Sequence, residues 1–433
     1  MRVRYGASGG LVLLGALAAG AGVGAPAGAS PVLVDLDCSA VQVDDQATSS
    51  TSPSLPFDLL GMGDAWRPFV RAGRVPGAGV RVAVVDSGVS GDAEVPVVER
   101  VSFSTGKELG EYHGTAVAGL VAGPLRESEP TLLPVGFAPG AEVVDVRVYD
   151  RTQPDEGEVG VETPRVAAGL RWVAANAQRL DIGVVNVSLA VSPSVDLRDA
   201  VRSLAAQDVV VVAGSGNRPA DGDPLFAQFG EVRTGEDASQ AVWPAGYDQV
   251  VAVNATAGGV SDSADDIDVR DSVLQSSATD VAVPTYGAVT ASVNGGTCVL
   301  PSIATSWAAA EVSGILALLR ARYPHDNARQ VVSRLRDTAD GTTTSLSVLT
   351  GAGVVQPAEA LSRPLRPGRD GKVAVNVEEQ DTTRRATAPV PPADRLAQTR
   401  RNAVWLGLVG GAALVVAAML RPLLARRRRE GSH

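Results

Sequence analysis

A series of valine-rich runs limits what this chain can become. Residues 80–85, 142–148, 184–189 and 208–213 are rich in Val, and two of these runs lead straight into Asp86-Ser87-Gly88 and Gly214-Ser215-Gly216-Asn217. Val-rich runs of this length suit strands buried on both faces, which occur in parallel sheets covered by helices. Further strands are expected at 249–254 and 280–283. Residues 164–179 read as an amphipathic helix, with Val166, Leu170, Val173, Ala174 and Ala177 on one face. Helices are also expected at 197–206, 303–322 and 328–338, and 59–72 is loosely helical. Such repetition predicts an α/β fold, a mostly parallel sheet with helices on both faces and right-handed crossovers. Aromatic residues make up only 4% of the chain, so Val, Ala and Leu must fill the core.

The two ends carry a different signal. Residues 1–29 have Arg2 and Arg4, a short apolar run and a small-residue ending at Ala27-Gly28-Ala29, the layout of a secretory signal peptide. A retained N-terminal anchor is the alternative. Residues 403–420 are uncharged and apolar, at the lower end of the length needed to span a bilayer. Trp405 sits near the start of this run, and Arg421 and Arg426–Arg429 follow it. The positive-inside rule places that basic tail, residues 421–433, in the cytoplasm and all that precedes the span outside. This predicts a single-pass protein of the cell membrane with an extracytoplasmic body. Residues 363–402, with Pro364, Pro367, Pro389, Pro391 and Pro392, read as an extended tether. Residues 30–79 form an N-terminal arm and 80–362 the main domain. The net charge of −10 understates the acidity of the body, which argues against a nucleic-acid partner. Cys38 and Cys298 both fall outside the membrane and are expected to pair in an oxidising compartment. Two free buried thiols is the other possibility.

Residues suited to chemistry stand at the element ends. Asp86 closes a central strand, where open α/β sheets place their ligands. His113 opens His113-Gly114-Thr115-Ala116-Val117-Ala118-Gly119, a tightly packed helix start. The chain has three histidines, and His325 and His433 fall at a helix end and at the terminus. Ser306 lies where Ile303-Ala304-Thr305-Ser306 enters a buried helix, either as the helix cap or as a nucleophile beside unpaired N–H groups. Asp, His and Ser in this order supply a carboxylate, a base and a hydroxyl, the three roles of acyl transfer to serine. Nothing in these motifs calls for a cofactor or a metal. The acidic stretch 261–271 (Asp262, Asp265, Asp266, Asp268, Asp271) reads as an exposed loop rather than a calcium site.

These motifs resemble those of the subtilases, the subtilisin-like serine proteases. Val82-Ala83-Val84-Val85-Asp86-Ser87-Gly88, His113-Gly114-Thr115 and Thr305-Ser306-Trp307-Ala308-Ala309 are similar to the family's three catalytic motifs. Gly136-Phe137-Ala138-Pro139-Gly140-Ala141, Val185-Asn186-Val187-Ser188-Leu189, Gly214-Ser215-Gly216-Asn217 and Trp243-Pro244-Ala245 are similar to four lesser ones. With its short Cys-bearing arm, tether and C-terminal span, the chain most resembles the mycosins, the membrane-anchored subtilases of type VII secretion systems. The resemblance implies that Ser306 is the nucleophile, His113 the base, Asp86 its orienter and Asn217 the oxyanion donor. Ser188, Leu189, Gly214 and Ser215 would line the substrate site. It further implies an endopeptidase acting on protein or peptide substrates, and a place among the components of a type VII secretion membrane complex. A mainly structural subunit of that complex is the alternative. Three positions depart from the family pattern. Ala304 stands where glycine is usual, Ala310 where proline is usual, and Thr285 where a glycine follows Ala-Pro. If position 304 needs a positive φ, Ala304 would strain the site.

Overall fold

The computed structural model describes residues 36–128, 131–219, 226–258, 268–373 and 396–430. The signal-peptide reading of residues 1–29 and most of the acidic stretch 261–271 lie outside them. Residues 36–373 belong to one compact unit and the C-terminal helix to another.

In the first unit, α1 (Leu55–Leu59) and α2 (Met62–Arg71) precede β1 (Arg81–Asp86) and β2 (Val97–Ser102). Then come α3 (His113–Ala122), a small hairpin of β3 (Arg126–Ser128) and β4 (Thr131–Leu133), β5 (Glu142–Arg147) and α4 (Thr163–Leu180). β6 (Ile182–Val187), α5 (Val195–Ala206), β7 (Val210–Gly214), β8 (Val250–Thr256) and β9 (Val281–Pro284) follow. A second hairpin, β10 (Ala288–Ala291) and β11 (Thr297–Leu300), leads to α6 (Thr305–Arg322), α7 (Ala328–Arg336) and α8 (Pro357–Ser362).

The main sheet has seven strands in the order β2-β5-β1-β6-β7-β8-β9, every neighbouring pair parallel. The expected parallel sheet is therefore present, and its period of two sorts side chains between two cores. Val82, Val84, Val212 and Val253 face α3 and α6. Ala83, Val85, Val211 and Ala252 face α4 and α5. Each fully buried Val or Leu contributes about 1.5–3 kcal/mol relative to exposure, so the Val runs hold the sheet from both sides. The chain builds outward from β1 to β2 and β5 on one side, then crosses to β6 on the other. The crevice at the C-terminal ends of β1 and β6 is thus the switch point where such sheets bind ligands.

From residue 36 onward the arm packs along the second hairpin. Val299 N–H donates to Leu36 O, Thr297 N–H to Thr48 O and Ser50 N–H to Thr297 O. A Cβ at Gly296 would overlap the Thr48 carbonyl, so only glycine admits the arm this closely. Cys38 and Cys298, both 1% exposed, form a disulfide across 260 residues of chain. Residues 363–373, expected as the start of the extended tether, instead pack on α7. Gln330 donates to Pro367 O, Asn327 to Arg369 O and Arg334 to Leu365 O.

The second unit is α9 (Ala397–Glu430), whose stretch Ala397–Arg421 is long and apolar enough to cross a membrane, with a mean hydropathy of 2.3 over its 18 most apolar residues. The helix extends beyond the expected span 403–420 at both ends.

Candidate active site

β1 ends on Asp86, which is 1% exposed. Its Oδ1 accepts from Ser87 N–H at 2.8 Å and faces His113 Nδ1 at 2.7 Å. His113 is the first residue of α3. The helix start approaches the Asp86 turn so closely that a Cβ on Gly114 would lie 2.5 Å from Gly88 O. Gly114 N–H donates to Ser87 Oγ at 2.9 Å, fixing that approach. The Trp307 ring lies 5.0 Å from the imidazole, centroid to centroid, which brings α6 to the same place.

Ser306 is the second residue of α6, and Ala304 is the N-cap. Ser306 therefore does not cap the helix. Asn217 takes that role from outside: its Oδ1 accepts from Thr305 N–H at 2.8 Å and Thr305 Oγ1 at 3.0 Å. The Asn217 Nδ2 is left to donate elsewhere. Ala304 has φ −146° and ψ 140°, ordinary extended backbone, so the missing glycine causes no strain. The Ser306 hydroxyl donates to Ser188 O at 3.2 Å, and Ser188 Oγ donates to Ser306 O at 2.8 Å. Asn186 Nδ2 in turn donates to Ser188 Oγ at 2.9 Å. These bonds tie the end of β6 to the start of α6.

A cleft of about 530 Å³ opens here, lined by His113, Ser188, Leu189, Gly214, Asn217 and Ser306 among others. Ser215 does not line it. Its side chain is buried and meets Thr279 Oγ1 at 3.2 Å. No arm residue among the described residues lines the cleft. A larger groove of about 680 Å³ lies at the opposite end of β7 and β8, beside Arg202, Asp280 and Arg336, far from these groups in the fold.

Tyr149 and Glu111 join the site without having been singled out in the sequence. The Tyr149 hydroxyl is 2.7 Å from Glu111 Oε1 and 3.3 Å from Asp86 Oδ1, so its one proton goes to Glu111. Glu111 Oε2 accepts from Thr152 N–H and Oγ1. The signal available was a lone Tyr directly after a Val run, too common a pattern to read. Burial depresses the His113 pKa, but the Asp86 charge, its hydrogen bond and the Glu111 charge outweigh that and leave it above 6.5. Burial, with the Asp86 and Glu111 charges, pushes the Tyr149 phenol well above 10.

An imidazole held by a buried carboxylate and a serine thus line one cleft at the sheet's switch point. The model of the Subtilase family matches residues 77–353. The chain belongs to the subtilase family. This subtilase is 31% identical over 384 residues to Mycosin-1 of Mycobacterium tuberculosis, covering 81% of this chain and 82% of that protein. Among solved structures it resembles the MycP3 protease from the type VII (ESX-3) secretion system, with a TM-score of 0.56 and 26% identity over 73% of this chain and 90% of that one. A chain in the periplasmic assembly from the ESX-5 inner membrane complex shares the fold, with a TM-score of 0.58 and 23% identity over 83% of this subtilase and 94% of that chain. The likeness to mycosins read from the Cys-bearing arm, tether and C-terminal span is found in sequence and structure alike.

Proposed function

We propose that this subtilase is a membrane-anchored, extracytoplasmic serine endopeptidase acting within a type VII secretion membrane complex. The observation that carries the catalytic part is the 2.7 Å contact of Asp86 with His113 beside Ser306 in one cleft. In this reading Asp86 fixes the imidazole with Nε2 free for Ser306. Attack requires the Ser306 hydroxyl to leave Ser188 O for that nitrogen, after which Ser306 Oγ adds to the scissile carbonyl. The Asn217 amide and the Ser306 backbone N–H donate to the oxyanion; one such donor is worth about 10²–10³ in rate. Ser188, Leu189 and Gly214 flank the bound peptide. The apolar segment 397–421 anchors the protein, with the basic residues after it on the cytoplasmic side.

The test is fluorophosphonate labelling of the full chain beside Ser306→Ala and His113→Ala. Labelling of the parent alone is the expected result. A folded parent that stays unlabelled defeats the catalytic reading. A second reading, a structural subunit of the secretion complex, draws on the likeness to a chain of the ESX-5 assembly. It predicts that Ser306→Ala co-purifies with the membrane complex as well as the parent does.

A further inference from the structure

The residue after Asn217 is an arginine whose head lies inside the protein. The Arg218 side chain is 6% exposed and that of Glu236, its ion-pair partner, 2%. A guanidinium has five N–H donors, and here each meets an acceptor. Nε donates to Arg270 O at 2.6 Å. Nη1 donates to Phe229 O at 2.5 Å and Glu236 Oε2 at 3.0 Å, and Nη2 to Glu236 Oε1 at 2.8 Å and Val273 O at 3.4 Å. Glu236 Oε1 also accepts from Gln275 N–H. One fork therefore ties residue 218 to segments around 229, 236 and 270–275.

The backbone on either side of Asn217 joins the same unit. Arg218 N–H donates to Ser272 O at 2.9 Å and Leu274 N–H to Gly216 O at 3.0 Å. Gly216 turns with φ +115°, and a Cβ there would lie 2.8 Å from Val242 Cγ2. Asn217 itself is exposed in the cleft, so little packing holds its side chain. Its position follows from its neighbours and from the Thr305 bonds.

We propose that Arg218, locked by Glu236, is a positioning residue that fixes Asn217 where its amide meets the oxyanion. The inference rests on the catalytic reading above. Oxyanion donors act only when held at about 2.7–3.1 Å from the developing charge. A loop free to shift by an ångström would lose that contact while still admitting substrate. Truncating Arg218 alone would leave Glu236 buried and unpaired, so both partners are best replaced together.

The experiment measures the rate constant and final extent of fluorophosphonate labelling of the full chain in detergent. The variants are Arg218→Met/Glu236→Met, Asn217→Ala and the combination, with thermal unfolding in parallel. The paired change is expected to slow labelling about tenfold while final extent stays complete, since folded molecules keep Ser306 and His113. In the Asn217→Ala background the same change is expected to alter the rate less than twofold. A purely structural role would lower the extent or the unfolding temperature but leave the rate constant alone, and so overturn the proposal. Losses that multiply would overturn it too. If the paired variant does not fold, Glu236→Gln takes its place: a slowing that vanishes on Asn217→Ala supports the proposal, and an unchanged rate refutes it. A folded parent that is not labelled defeats the catalytic reading itself, and the positioning role with it.

Discussion

An imidazole can act as a base only when neutral, and the pKa of His113 is set by what surrounds it. Asp86 and Glu111 hold it above 6.5 against the effect of burial. The rate of fluorophosphonate labelling should therefore rise with pH through a midpoint above 6.5. Glu111→Gln removes one of the two negative charges and should move that midpoint down while labelling persists. A midpoint that stays put would show that Glu111 does not act on His113. Glu311, five positions after Ser306, poses the opposite case. It is fully buried and neither carboxylate oxygen has a partner among the described residues. Burial holds its pKa well above 4.5. The folded state then binds more protons than the unfolded one, so stability falls as pH rises from about 4.5 through the raised value. Glu311→Leu should gain about 1–3 kcal/mol, the usual cost of unsatisfied buried polar groups. The gain should be larger at pH 8 than at pH 4.5 in thermal unfolding. At this scale the sequence was informative where one residue type is scarce, as with His113. It was silent on Arg218 and Glu236, whose pairing across 18 residues exists only in three dimensions.

Helix α3 and strand β1 carry their site residues only because they approach so closely. Gly114→Ala would place a Cβ against the Gly88 backbone, which cannot yield as a side chain can. The helix must tilt away and separate His113 from Asp86. The variant should lose about 1–3 kcal/mol from overpacking and label at least tenfold more slowly, read by unfolding and labelling kinetics together. Central elements were legible because continuous Val runs leave a strand few alternatives. Strand β2 was not, since its residues alternate between half-buried and exposed at the sheet's edge. The start of α6 left two readings open for Ser306, helix cap or nucleophile. A Ser near a helix start can read as a cap, but here Asn217 Oδ1, remote in sequence, accepts from the Thr305 N–H and leaves Ser306 out of that role.

For the whole body, the N-terminal arm and the hairpin β10–β11 are stitched by backbone hydrogen bonds and one disulfide. Closing so long a loop lowers the entropy of the unfolded chain, so Cys298→Ser should cost about 2–5 kcal/mol, visible as a lower unfolding temperature. Labelling at room temperature should be unchanged, because no described arm residue lines the cleft. The pairing of the cysteines was foreseeable from their count and compartment. The course of residues 363–373 was not, because proline content suggested extension while the side chains of α7 capture those carbonyls.

The distance between the two cysteines also sets an order of events. In a chain threaded N-terminus first across a bilayer, Cys38 emerges early and waits, since its partner lies 260 residues behind it. Ser306 follows Cys298 almost at once. In such a chain the covalent seal could close only after all seven strands of the main sheet had crossed, with α6, α7 and α8 still to follow.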